Sequence, residues 1–211
     1  MANKRQYQKE LEQTIEGLRR RKSLLLHSCC APCSSFVLEY LRQYFAITVY
    51  YYNPNITDRE EYEKRVQEEK RLIQAFVSEH PEYPISFLEG PFEPERFFQI
   101  AEGKEDCPEG GERCFACYGL RLAESVKVAE EMGFDYITTT LSISPLKNAD
   151  KLNEIGEQLC QGKQVTYLTS DFKKKNGYKR SVELSQEYEL YRQDYCGCVY
   201  SKREAEQRKD R

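Results

Sequence analysis

Apolar positions along this chain come in two rhythms that take turns. Tyr7, Leu11, Ile15 and Leu18 fall three or four residues apart and predict a helix over about Arg5 to Arg21. Arg19 to Lys22 would then place four positive charges at its C-terminal end, where the helix dipole favours them. Leu24-Leu25-Leu26 follows as a continuous apolar run and predicts a buried strand. It must stop by Pro32, which cannot continue a sheet ladder. Helical spacing returns over Ser34 to Tyr44, through Phe36, Val37, Tyr40, Leu41 and Tyr44.

The alternation then repeats. Ile47 to Tyr52 is rich in β-branched and aromatic residues and ends at the turn Asn53-Pro54-Asn55. Thr57 and Glu60 have capping-box spacing for a helix to about Val77, with Tyr62, Val66, Ile73 and Val77 inward. Ile85 to Leu88 predicts a third strand, and Glu93-Pro94 opens a short helix carrying Phe97, Phe98 and Ala101. A further helix carries Leu122, Val126, Ala129 and Met132 and stops at Gly133. Tyr136 to Leu141 predicts a fourth strand, Asn148 caps a helix to about Leu159, and Val165 to Leu168 predicts a fifth strand. Strands alternating with helices argue an α/β domain with a doubly wound, mostly parallel sheet. Residues 1–22 form its N-terminal helix, 23–169 the α/β core, and 170–211 a C-terminal basic and aromatic addition ending in a helical, mixed-charge tail.

Composition narrows the chemistry. A chain of 211 residues suits one domain with a substantial core. No apolar run is long enough to span a bilayer, and the polar N-terminus shows no secretory signal, so the expected compartment is the cytoplasm. In that reducing setting nine cysteines point to metal binding or redox catalysis rather than structural disulfides. Two histidines argue against a zinc enzyme built on imidazole. A net charge of −3 gives no global attraction to nucleic acid, so RNA binding would rest on a local patch.

Cys29, Cys30 and Cys33 sit where the first strand hands over to a helix, at the strand's carboxyl end, where open α/β sheets bind ligands. A helix N-terminus also favours thiolate. Cys114-x-x-Cys117 stands at a second loop–helix junction. If both junctions share a sheet edge, four thiols converge as a zinc site or an iron–sulfur cluster, and the adjacent pair favours the cluster. Cys196-Gly197-Cys198 differs in kind: two thiols one glycine apart can hold two electrons as dithiol or disulfide. Cys160 reads as core, and Cys107 has no partner at a telling spacing. Lys173, Lys174, Lys175, Lys179 and Arg180, interleaved with Phe172 and Tyr178, combine cations for phosphate with rings for bases, although such a run also suits a solvated loop.

Five motifs in order resemble the cobalamin-independent epoxyqueuosine reductases: His27-Ser-Cys-Cys-Ala-Pro-Cys33, Cys114-Phe-Ala-Cys117 with Tyr-Gly-Leu-Arg121, Thr138 to Pro145, Phe172 to Tyr178, and Tyr191 to Cys198. The likeness runs from about Ser23 to Tyr200. It implies a Rossmann-like, adenine-nucleotide-hydrolase-like sheet and reduction of the epoxide of epoxyqueuosine at the tRNA wobble position. It also implies a [4Fe–4S] cluster on Cys29, Cys30, Cys114 and Cys117, a second, mononuclear iron for which Cys33 is the candidate ligand, and a redox-active Cys196/Cys198 pair. The implied partners are tRNA carrying epoxyqueuosine and an electron donor, with no membrane. Two other classes fit parts of the pattern, an ATP-dependent enzyme of the tRNA-thiolation type and a zinc-stabilised tRNA-binding module. Against the first, cysteines occupy the place after the first strand where a glycine-rich phosphate loop belongs.

Overall fold

The structure, a computed structural model, describes residues 5–209. Five parallel strands form one sheet in the order β3-β2-β1-β4-β5: β1 (Lys22–His27), β2 (Phe45–Tyr51), β3 (Ile85–Glu89), β4 (Tyr136–Thr139) and β5 (Thr166–Tyr167). The chain winds outward from β1 through β2 to β3, then crosses back to place β4 on the other side of β1. This is the expected doubly wound sheet, and its switch point lies between β1 and β4.

Alternation along β1 builds a core on each face. Leu24 and Leu26 pack with Val37, Leu38, Leu41, Leu72 and Phe76, from α2 (Ala31–Leu41) and α3 (Arg59–Glu79). Leu25 points the other way, with Ile137 of β4, against Leu122 and Val126 of α5 (Glu112–Glu131) and Leu152 of α6 (Ala149–Cys160). The N-terminal helix α1 (Tyr7–Glu16) adds Leu11 to the first face. The remaining helices are α4 (Pro94–Ala101), α7 (Gly177–Glu187) and α8 (Val199–Lys209). Among the described residues no helix is long and apolar enough to cross a membrane.

Several local readings change. The first helix stops at Glu16, so Arg19 and Arg20 lie in the following turn and Lys22 opens β1; the expected charge–dipole pairing is not made. The cap of α3 is Asp58 rather than Thr57: its carboxylate accepts from the Glu61 N–H at 3.1 Å. β1 stops at His27, before Pro32 is reached, and Pro32 sits in the first turn of α2, where its missing N–H costs nothing. Asn148 and Gly133 act as expected. The Asn148 side chain accepts from the Lys151 N–H, and Gly133, at φ +71°, closes α5 with Phe134 N–H reaching back to the Ala129 carbonyl.

Candidate metal and redox site at the sheet's switch point

The site begins with how β1 ends. His27 is fully buried; its Nδ1 lies 2.8 Å from Thr139 Oγ1 and its Nε2 3.1 Å from the Tyr52 carbonyl. The Nε2 edge also faces the Arg121 Nε–H at 3.4 Å. Burial, followed by the nearby Arg121 charge, pushes the imidazole down to about 3, so His27 is a neutral tie between β1, β2 and β4. Asn53 donates to the Ser28 carbonyl at 2.9 Å and accepts from Arg121 on α5, fixing the turn that follows.

That turn carries Cys29, Cys30 and Cys33, whose sulfurs all lie within 4.8 Å of one another. Cys30 is the N-cap of α2, and its carbonyl accepts from the Cys33 and Ser34 N–H groups. The Cys29 N–H donates to Thr140 Oγ1. Cys29 and Cys30 sulfurs are 3.8 Å apart, the spacing of two ligands on one tetrahedral ion with bonds of about 2.3 Å. Hydrogen bonds from Cys30 and then Cys33 hold Cys29 well below the usual thiol range, while those to Cys29 and then Cys30 push Cys33 up.

Two further helix N-termini present thiols. Cys114 lies in the first turn of α5, where its sulfur accepts from the Gly110 N–H at 3.2 Å, and Cys117 follows one turn on. Burial pushes Cys117 up to about 12. Cys198 directly precedes α8, and its sulfur accepts from the Ser201 N–H at 3.3 Å. Gly197 between the paired cysteines has φ +115°, and a Cβ there would meet Ile56 at 2.8 Å, so this spacer must be glycine. Arg65 and Asn55 hold the Cys196 carbonyl from the other side.

Cys196 joins the two thiol sets. With Cys114, Cys117 and Cys198 it lines a small enclosed cavity beside Arg113 and Arg121. With Cys29, Cys30 and Cys33 it lines a larger one of about 540 Å³. The larger cavity is also lined by Leu141, residues 143–147, Tyr178 and residues 192–195. Within it the Lys147 ammonium, nearly buried, sits 2.8 Å from Glu109 Oε1.

The tRNA-binding candidates divide. Lys173, Lys174 and Lys175 line an adjoining cleft, and the half-exposed Tyr178 lines the cysteine cavity. Arg180 is paired with Glu39 at 2.6 Å, and Lys179 is exposed. Phe172, expected among the rings for bases, is fully buried in the core and cannot stack on RNA. Cys160 is core, as expected. The Cys107 carbonyl, with those of Lys104 and Glu105, accepts from the buried Arg113 guanidinium, which pins that loop.

Arg65, Asn53, Lys147 and Glu109 are the residues that sequence reasoning passes over. Arg121 stands inside one of the five motifs, one helical turn beyond Cys117, and that spacing is the signal that puts both on one face. The others come from loops and helices far away in the chain and carry no local signal.

Comparison with known proteins agrees with this geometry. A family model described as epoxyqueuosine reductase QueH matches residues 24–204. Over 184 residues the chain is 46% identical to the epoxyqueuosine reductase QueH of Streptococcus pyogenes serotype M1, covering 86% of this chain and 71% of that protein. The Staphylococcus epidermidis protein of that name is 41% identical over 200 residues, 92% of this chain and 84% of its own. That of Thermotoga maritima is 31% identical over 181 residues, 85% and 90% respectively. A match spanning the sheet, all three thiol-bearing helix starts and the residues that lock them means that this chain belongs to the epoxyqueuosine reductase QueH family.

Proposed function

We propose that this chain reduces the epoxide of epoxyqueuosine to queuosine at the wobble position of tRNA, in the cytoplasm. The observation that carries the reading is Cys196. It faces both thiol sets, inside a cavity large enough for a nucleoside, at the switch point of a sheet belonging to this family.

On this reading Cys29, Cys30, Cys114 and Cys117 hold a [4Fe–4S] cluster, and Cys33 is the candidate ligand of a second iron. The donor set fits such a group. Arg121 is wholly buried and its amide partner Asn53 is neutral. The titratable groups closest to its charge are the thiols of Cys117, Cys196 and Cys29. A buried guanidinium is costly unless compensated, and metal-bound thiolates compensate it. When bound, the iron centre supplies electrons and a Lewis acid for oxygen.

The chain's own residues supply the rest. Removing the epoxide oxygen as water leaves a carbon–carbon double bond and consumes two electrons and two protons. Conversion of the Cys196/Cys198 dithiol to its disulfide releases that same pair of each, and an external donor protein or reductant restores the dithiol. Lys147 sets positive charge in the cavity where negative charge develops on the departing oxygen. Tyr178 and Tyr195 line it as rings for a splayed base. Lys173, Lys174, Lys175, Lys179 and Arg180 are the candidate phosphate contacts.

Anaerobic purification tests this directly. A brown protein absorbing near roughly 400 nm, as thiolate-ligated clusters do, that converts epoxyqueuosine in tRNA meets the proposal. A colourless zinc protein without turnover defeats it.

A further inference from the structure

The cysteine cavity does not end at its own wall. A second cleft, of about 1090 Å³, opens beside it between the start of α1, the Pro145–Asp150 segment and the Asp171–Lys175 turn. The two share Pro145, Leu146 and Lys147 as a common boundary. Leu146 stands on that boundary with 56% of its surface exposed, so its side chain projects where the two openings meet. Tyr178, another exposed large apolar residue, lines the cysteine cavity. The second cleft is lined by the cations Arg5, Lys9, Lys147, Lys173, Lys174 and Lys175, against the carboxylates Glu12, Asp150 and Asp171. Arg5, Lys147, Lys173 and Lys175 are ion-paired with Glu10 and Glu157, Glu109, Asp171 and Glu12 respectively, while Lys9 and Lys174 extend into solvent.

We infer that Leu146 is a wedge that parts the modified nucleotide from its neighbour in the RNA strand. The modified nucleotide enters the cysteine cavity, and the adjoining stretch of single strand follows the second cleft. This rests on the reading above that the substrate is a nucleotide in an RNA loop. An apolar side chain between two stacked bases exposes their faces without hydrogen-bonding them, and aromatic and cationic walls on either side receive what it separates. A cavity lined by thiols and rings on one side of the wedge, and a cleft edged by the exposed ammonium groups of Lys9 and Lys174 on the other, match the base and the backbone respectively.

The experiment compares Leu146→Ala and Leu146→Met with the wild type on two substrates, an anticodon stem–loop carrying epoxyqueuosine and the free epoxyqueuosine nucleoside. The loss in kcat/KM for Leu146→Ala should be greater on the stem–loop than on the nucleoside by at least about tenfold, with Leu146→Met restoring most of it. A 2-aminopurine beside the modified position should brighten on binding wild type and stay quenched with Leu146→Ala. Metal content should be equal in all three proteins. Equal losses on both substrates, or equal brightening with both proteins, overturn the wedge. Wild type that turns over neither substrate overturns the underlying functional reading instead.

Discussion

Arg121 and Asn53 stand 68 positions apart and share a side-chain hydrogen bond in the interior. Through it α5, which carries Cys114 and Cys117, is tied to the turn after β2; Asn53 in turn holds the Ser28 carbonyl at the head of the cysteine turn. One amide therefore sets two thiol-bearing segments against each other. Asn53→Ala leaves a buried guanidinium and a buried carbonyl without this partner and should cost about 2–4 kcal/mol. Denaturant midpoint and iron per chain, read on one preparation, should fall together. Full iron at wild-type stability would mean that Asn53 does not organise the site.

A second buried group predicts a pH dependence. Glu69 of α3 is completely buried, and burial pushes its carboxyl up to about 8, against the opposing influence of the Ser34 and Ser28 hydroxyls. Between the ordinary carboxyl range, near 4.5, and that value the unfolded chain has released a proton that the native protein still holds. Stability is therefore fully present below the lower limit and declines as pH rises towards 8. Glu69→Gln removes the titration and should flatten this slope, with a gain of about 1–3 kcal/mol near pH 8. Urea midpoints across the range check it; parallel slopes for both proteins would contradict it.

How far the chain can be read without its structure follows from where each signal lies. The apolar rhythm of Leu24 to Leu26 and the turn at Pro32 are local, so β1, α2 and the thiols between them are legible. Arg65 and Lys147 act on the site from other parts of the fold, and nothing next to them in sequence marks a charge that will be buried against cysteines. Phe172 shows the converse: it stands among lysines, yet the left-handed turn at Lys175 and Asn176 folds that segment back and leaves Phe172 in the core. The cysteines at the start of α2 and those at the start of α5 line two different cavities, and it is Cys196, just before α8, that lines both.

The cluster assignment predicts a division among the cysteines. Cys114→Ser and Cys117→Ser should each lose most iron and all turnover, because each removes a soft thiolate from the proposed set. Cys160→Ser, in the core of α6, should keep both at a cost of about 1–2 kcal/mol in stability. Iron analysis and the visible spectrum decide; a fully loaded Cys117→Ser protein would remove that residue from the ligand set.

Charge in the second cleft predicts a salt effect. Replacing Lys173, Lys174 and Lys175 together by glutamine should weaken tRNA binding and reduce the salt slope by about one unit for each phosphate no longer neutralised. Lys173 also holds Asp171 and the Ser142 carbonyl, so Lys174→Gln alone, at an exposed position, separates phosphate binding from a folding effect. The spectrum of the iron centre should be unchanged in both. Unaltered affinity and slope in the triple variant would place the RNA backbone elsewhere.

The Cys196/Cys198 pair must be told apart from the ligands it adjoins, and metal content can do this where turnover alone cannot. Cys196 faces the sulfurs of both proposed metal-binding helix starts, so proximity alone would suit a ligand. Its neighbour argues for a different task. The Cys198 sulfur is held by Ser201, receiving that residue's N–H at the start of α8, and Gly197 lets the two cysteines turn tightly about a position no other residue could fill. On the proposed reading, such a pair closes to a disulfide and reopens without drawing on the thiols assigned to the metal. Cys196→Ala combined with Cys198→Ala should accordingly retain iron at the wild-type level and lose nearly all turnover with a thiol or protein donor. A strong one-electron reductant that reaches the iron centre directly should recover part of it. Iron per chain and turnover measured on the same sample separate the two roles: loss of both together would make these thiols ligands and end the relay.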